Sequence, residues 1–368
     1  MSSQRIRRFL EGQLPPTPFL VVDPVVVTER VREFAAEFPH SLLFYAVKAN
    51  PEPAVLRAVL AAGGGFDVAS PAEIRACLAE GARPQGLSYG NPIKKPADIA
   101  FAFAHGVREF TTDDESDLRH IAQHAPGASV TVRMLVDGPA SATPFGRKFG
   151  CPPAEAGRLL RLAAELGLDP VGAGFHVGSQ QSDVSAWDAG IAVAAKVAAE
   201  FPLRRLNIGG GFGITYRAPA PSLARYASAV RASLAEHFPS GAPEIALEPG
   251  RAVVAEAGLI RAEVVLVAWR AGHRWVYLDA GRYNGLAETE NEAIPYRFDA
   301  GPGERGPVVI AGPTCDGDDV LYQHTHYELP LALKTGDEVD ILDAGAYTAS
   351  YSSVAFNGIE PLRTYCLD

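Results

Sequence analysis

"LLFYAVKANPEPAVLRAVLAAGGGFDVAS" (residues 42–70) is the stretch whose pattern decides the fold. It opens on an apolar, β-rich run at 42–47 and passes through a helically spaced segment that starts with proline and stops on glycine. A second β-rich run follows at 65–69. The same alternation continues outward, with β-rich runs at 86–90, 108–112, 129–136, 170–178, 205–210 and 244–249. Segments such as "SPAEIRACLAEGA", "KKPADIAFAFAHG" and "PAEAGRLLRLAAELG" lie between them, and several open on a Ser or Asp cap or a first-turn proline. Eight strands interleaved with helices over roughly 230 residues predict a (β/α)8 barrel, with a doubly wound open sheet as the competing arrangement.

After about residue 255 the pattern changes to short strands separated by Gly/Asp turns, as in "HRWVYLDAG", "GPVVIAG" and "GDEVDILDAG". The expected organisation is a barrel over 20–255 and an all-β domain over 256–368. The polar span 284–306 reads as a loop with functional or interface duty.

Composition narrows the function classes. Of 368 residues, 47% are hydrophobic and 21% charged, which is globular usage. The net charge of −10, without a long basic block, disfavours nucleic acid and anionic membrane as partners. Cys77, Cys151, Cys315 and Cys366 are widely spaced and form no CxxC pair, which suits reduced thiols in the cytoplasm. The N-terminal stretch lacks the apolar core of a secretory signal, and no apolar run approaches the ~18 residues of a membrane span.

In a barrel of this kind the active site sits at the C-terminal strand ends. Lys48, Asp67, Arg133, His176, Ser179, Gly209 to Gly211 and Glu248 all fall there. Lys48 alone reads first as a strand-end lysine reaching solvent, and second as a partly desolvated amine able to form a Schiff base. "NIGGGFG" (207–213) suits either a tight barrel turn or an anion cradle of backbone N–H groups; it is neither GxGxxG nor a P-loop. In "LEPGR" (247–251), Glu248 and Arg251 form either a rim ion pair or a ring-nitrogen partner and a phosphate contact. His176 reads as a core histidine or as one stacked on a planar ligand. "GPTCDGDD" (312–319) sets Cys315 beside Asp316, a poor setting for a thiolate nucleophile; it reads as an ordinary turn or as a place for proton delivery and cation binding. "HTH" at 324–326 reads as solvated loop, and no metal site is assigned. Together, the lysine, the glycine nest with its arginine, and the carboxylate make the parts list for pyridoxal 5′-phosphate.

Through "FYAVKANP", "GFDVAS", "GNPIKK", "KFG", "FHVGS", "GGGFG", "EPGR", "GPTCDGDD" and "GAYT…FNG", the chain resembles the fold-type III decarboxylases of basic amino acids. Within that ornithine, lysine, arginine and diaminopimelate group it is most similar to the ornithine decarboxylase branch. The resemblance implies an alanine racemase-like barrel, with residues 1–19 joining the β-domain. It implies that Lys48 carries the cofactor, Glu248 meets the pyridine nitrogen and His176 stacks on the ring. Asp67 and Arg133 would line the pocket. Ser179, Gly210, Gly211, Gly250, Arg251 and Tyr347 would cradle the phosphate. Cys315 would reprotonate the substrate carbon and Asp316 would meet a distal ammonium, both from the partner of an obligate homodimer. Tyr283 and Phe356 would join the substrate side. Counting from Tyr283, Glu292 takes the place of the family's second distal aspartate, with Glu288 and Glu290 nearby. One methylene discriminates by only about 1–3 kcal/mol, so ornithine stands first, lysine second and an unusual amine-bearing substrate open. Diaminopimelate decarboxylase is the rival, kept alive by Arg297. Glu248 speaks against a racemase, and the full set of cofactor ligands against an antizyme-inhibitor-like binding protein.

Overall fold

The computed structural model describes residues 4–136, 141–144 and 146–368. The eight expected strands form a closed, all-parallel barrel. They are Leu42–Ala46, Gly65–Val68, Leu87–Tyr89, Glu109–Thr112, Ser129–Arg133, Asp169–Gly174, Arg205–Asn207 and Glu244–Leu247. Apart from the exposed Glu244, their residues are buried or half-buried, as strands covered on both faces require. The helices between them start where local chemistry dictates. Pro53, Pro71, Pro96 and Pro153 occupy first-turn positions, and the side chains of Ser70, Asp114 and Ser222 accept helix N–H groups.

The second layer is an eight-stranded, mostly antiparallel sheet built on the long strand Gly258–Arg270. Phe19–Val22 belongs to it, pairing antiparallel with Gly258–Arg261 and parallel with Arg363–Cys366. The expected boundary at residue 20 therefore falls inside a sheet strand. The crossover lies at Asp23, whose side chain accepts the Val25 N–H and caps the helix Pro24–Glu37. Two further expectations are corrected. "HTH" is part of the strand Val320–Pro330, with His324 and His326 on its exposed face, in the irregular stretch between the Tyr322–Ile310 and Tyr327–Val308 pairs that flank it. The span 284–306 holds the short helical segment Ala287–Glu292 and the strand Arg297–Asp299.

Beneath the glycine loop lies an aromatic cluster. Trp187 is fully buried, stacks on Phe212 at 5.0 Å, and donates from Nε1 to the Ile208 carbonyl at 3.2 Å. Phe34, Phe38 and Tyr226 pack edge-on to the same Phe212 ring. Trp187→Ala should cost about 3–5 kcal/mol in urea unfolding. A loss below about 1 kcal/mol would show that the loop does not lean on this cluster.

Candidate active site

A recessed cavity of ≈ 230 Å³ opens at the C-terminal rim of the barrel. Lys48, Asp67, Arg133, His176, Ser179, Gly211, Glu248, Gly250, Arg251 and Tyr347 all line it, so six strand ends and one β-domain turn converge there. Gly210 lies directly behind, where a Cβ would stand 3.5 Å from His176 Nε2 and 2.3 Å from the Glu248 carbonyl.

Lys48 sits in the turn Val47–Ala49 that follows the first barrel strand, and its side chain keeps accessible surface because it stands in the cavity. Burial lowers its pKa, Tyr347 and Asp67 raise it, Arg133 lowers it and Glu248 raises it; the balance lies above the ordinary lysine value. Burial also pushes the Tyr347 phenol up.

Those carboxylates are themselves strained electrostatically. Burial, then repulsion from Glu248, drives Asp67 well above the usual carboxylate range. Burial raises Glu248 too, against an Asn207 Nδ2–H bond of 2.5 Å to its Oε1. The two acids meet over Gly90, where a Cβ would lie 2.1 Å from Asp67 Oδ1 and 3.5 Å from Glu248 Oε1. Asp67 Oδ1 is buried and has no hydrogen-bond partner among the described residues. A cationic heterocycle brought against these acids would relieve both.

His176 is neutral. Burial, then Arg133 and Lys48, hold it well below the ordinary imidazole range. The Gly178 N–H donates to its Nδ1 at 3.0 Å, which puts the ring proton on Nε2. The anion side of the cavity is equally built. Arg251 is buried, lies 5.0 Å over the Tyr347 ring, and donates to Ser179 Oγ at 3.1 Å and Tyr216 Oη at 3.2 Å. Gly211 has φ +94°, and a Cβ there would come 2.3 Å from the Gly178 carbonyl, so only glycine fits.

Donors for a phosphate, acids for a cationic ring and an amine for an aldehyde thus fit pyridoxal phosphate. Sequence reasoning missed Asn207, Gly90, Glu73, Phe149 and Tyr216. Asn207 opens the quoted glycine motif. Glu73 stands three residues after the cap Ser70, whose hydroxyl accepts its N–H, and its own carboxylate accepts the Ala69 N–H at 2.6 Å while lining the cavity. Phe149 underlies Arg133 at 5.2 Å.

Four expected substrate-side residues lie apart from this cavity. Cys315 is exposed and accepts an Asn357 Nδ2–H bond at 3.2 Å. Asp316 contacts Tyr283, and Tyr283 packs on Phe356 at 4.4 Å. Asp319, which sequence reasoning overlooked, holds that loop by accepting from the Arg282 and Thr314 amides and the Thr314 hydroxyl. Glu292 is a correction. Its carboxylate accepts the backbone N–H groups of Gln323, His324 and Thr325 at 2.6–2.7 Å and braces a β-domain strand. With Glu292 consumed there, Glu288 and Glu290 are the acids of this segment that reach the site, lining a wider mouth of ≈ 1060 Å³ above Lys48.

A barrel of this topology with this cavity defines a pyridoxal-phosphate enzyme, and comparison with known proteins narrows the class. The family model for the pyridoxal-binding domain of pyridoxal-dependent decarboxylases matches residues 25–255. The lysine/ornithine decarboxylase of Selenomonas ruminantium is 34% identical over 350 residues, covering 93% of this chain and 88% of the relative. The crystal structure of lysine decarboxylase from Selenomonas ruminantium matches with a TM-score of 0.88 at 32% identity, over 100% of this chain and 96% of that one. The lysine/ornithine decarboxylase of Vibrio vulnificus, complexed with cadaverine, matches with a TM-score of 0.88 at 29% identity over 100% of both chains. The chain belongs to the pyridoxal-dependent decarboxylases and is an amino acid carboxy-lyase. Among the described residues no helix is long and apolar enough to cross a membrane.

The His176 geometry has a measurable consequence. The unfolded chain takes up an imidazole proton near pH ~6.5 that the folded chain refuses. Protons bound to the unfolded state therefore exceed those on the folded state below that pH, and stability falls as pH drops. His176→Gln should flatten this slope in urea unfolding compared at about pH 5 and pH 7; an unchanged slope would mean His176 is not the neutral buried group.

Proposed function

We propose that the protein decarboxylates an L-diamino acid, ornithine first and lysine second, in a homodimer whose active sites are completed across the interface. One observation carries the substrate class. Among the described residues the wide mouth is lined by Glu73, Glu290 and, in its ion pair with Arg251, Glu288; apart from Lys48 no cation lines it. Arg297, the residue that would favour a distal carboxylate, is paired with Asp343 instead. An acidic mouth suits a distal ammonium and opposes diaminopimelate. The substrates named for the relatives, lysine and ornithine, agree.

The dimer is supported by the separation of the two groups of residues. Cys315, Asp316, Tyr283 and Phe356 cluster on one surface and do not line the Lys48 cavity. The segment between them carries exposed apolar side chains, Tyr351, Val354 and Phe356, of which Tyr351 borders the mouth. Exposed apolar groups beside a site mark a contact surface.

Roles follow from position. Lys48 would hold the cofactor through its ε-amine, Glu248 and Asp67 would keep the ring nitrogen cationic, and the neutral His176 would lie on the ring face without opposing its charge. Arg133 would line the ring pocket. Ser179, Gly210, Gly211, Gly250, Arg251 and Tyr347 would hold the phosphate. When bound, the cofactor supplies an electron sink that stabilises the α-carbon electron pair left as CO2 departs. Cys315, contributed across the interface, would place a proton on that carbon, and Asp316 would hold the distal ammonium.

Lys48→Ala should abolish the visible absorption band of the purified enzyme; a retained band would refute the assignment. Lys48→Ala and Asp316→Ala subunits, each inactive, should recover about a quarter of wild-type activity when mixed, the binomial share of site-complete positions. Absence of recovery in verified heterodimers would place the whole site within one chain. Cys315→Ala should slow turnover and divert products while the band persists. Release of CO2 from a panel of ornithine, lysine, arginine and meso-diaminopimelate tests the substrate order, and preference for diaminopimelate would overturn it.

A further inference from the structure

Arg251 has a partner that the phosphate cradle does not require. A guanidinium offers five N–H donors. In this chain Nη1 donates to Glu288 Oε2 at 2.8 Å and to Tyr216 Oη, while Nη2 donates to Glu288 Oε1 at 2.5 Å and to Ser179 Oγ. The fifth donor, on Nε, is buried without a partner among the described residues. The two-pronged edge that suits a phosphate is therefore engaged by a carboxylate of the same geometry and the same charge sign. Glu288 is itself largely buried, with its side chain 12% exposed. It belongs to the segment Ala287–Glu292, which leaves helical geometry at Glu290 and Asn291 and is pinned at its far end by the three bonds to Glu292. Its other side borders the wide mouth above Lys48.

We propose that Glu288 is a resident counter-anion for Arg251: it holds the phosphate cradle assembled and competes with the cofactor's phosphate for the guanidinium. The alternative to such a partner is a buried cation without compensation, which is strongly destabilising. When phosphate takes the two-pronged edge, the displaced carboxylate turns toward the mouth and adds negative charge where Glu290 already stands. Cofactor occupancy and the charge of the substrate entrance are thereby coupled through one side chain. The inference rests on Arg251 belonging to the phosphate cradle.

The test uses the full-length chain, first as holoenzyme and then stripped of cofactor. Glu288→Gln keeps the shape and removes the charge. It should tighten pyridoxal phosphate binding by roughly tenfold, the scale of one like charge removed from a partly screened site. That change should be seen as slower loss of the visible band on dilution. Binding of pyridoxal, which lacks the phosphate, should not change. The stripped variant should melt below wild type, and inorganic phosphate should raise its Tm by more than it raises the wild-type value. If Glu288→Gln does not fold, Glu288→Asp, one methylene short of the paired geometry, should show the same enlarged phosphate response. Unchanged or weaker phosphate-dependent binding in the folded variant would overturn the proposal and make Glu288 a simple brace. Arg251→Gln separates the two levels: if it leaves pyridoxal phosphate affinity intact, Arg251 is not in the cradle at all. If it weakens affinity while Glu288→Gln does not tighten it, only the competition fails.

Discussion

The position of Lys48 depends on a three-point contact between the barrel and the β-domain. The Tyr347 N–H donates to the Ala49 carbonyl at 2.6 Å, the Ser350 hydroxyl to the Lys48 carbonyl at 2.6 Å, and Asn50 Nδ2 to the Gly345 carbonyl at 2.9 Å. A short 3-10 turn has few internal hydrogen bonds, so its geometry is set by what satisfies its outer carbonyls. Here that duty falls on residues about three hundred positions away. The reactive amine is thus a property of both domains, although the barrel supplies every strand end around it. Tyr347 adopts φ +61° to make its contact, a conformation that a bulky residue holds only where its surroundings enforce it.

Around this turn the site is built from charges that converge from separate elements. Burial raises both Asp67 and Glu248, and Lys48 and Arg133 act on both of them in the opposite sense. Elsewhere the fold settles its buried charges locally. Lys94 is buried with Asp117 at 2.8 Å and three backbone carbonyls, and it plays its part by joining neighbouring barrel loops. The contrast separates a structural lysine from a chemical one. Lys94 has a complete local shell of acceptors, whereas Lys48 is influenced by two acids, a phenol and an arginine that converge from four different strand ends and turns.

Much of this was legible in the chain itself, for a physical reason. Parallel barrel strands are buried on both faces, so runs such as "LLFYA" stand out, and helix starts at Ser70, Asp114 and Pro153 follow fixed cap chemistry. The cofactor-side residues of the barrel were legible because each lies at the C-terminal end of such a run or within five residues beyond it. The strand Val320–Pro330 was not, since its exposed face is polar and its register is interrupted by bulges. The role of Glu292 was hidden for a different cause. Which acid of "ETENE" points inward depends on the left-handed backbone at Asn291 and Glu292, and composition does not encode that turn. The Arg251–Glu288 pair joins residues 37 positions apart and has no spacing signature.

The strand Phe19–Val22 has a consequence for synthesis. It pairs on one side with Gly258–Arg261 and on the other with Arg363–Cys366. Chains emerge from the ribosome N-terminus first, at about 5–20 residues per second. The barrel segments can therefore close while this early strand still waits, with both of its edges bare, for partners more than two hundred residues downstream. The apolar strand Phe19–Val22 is thus made before either of its partners, and the sheet that clamps the lysine turn is completed only after the barrel segments have been made.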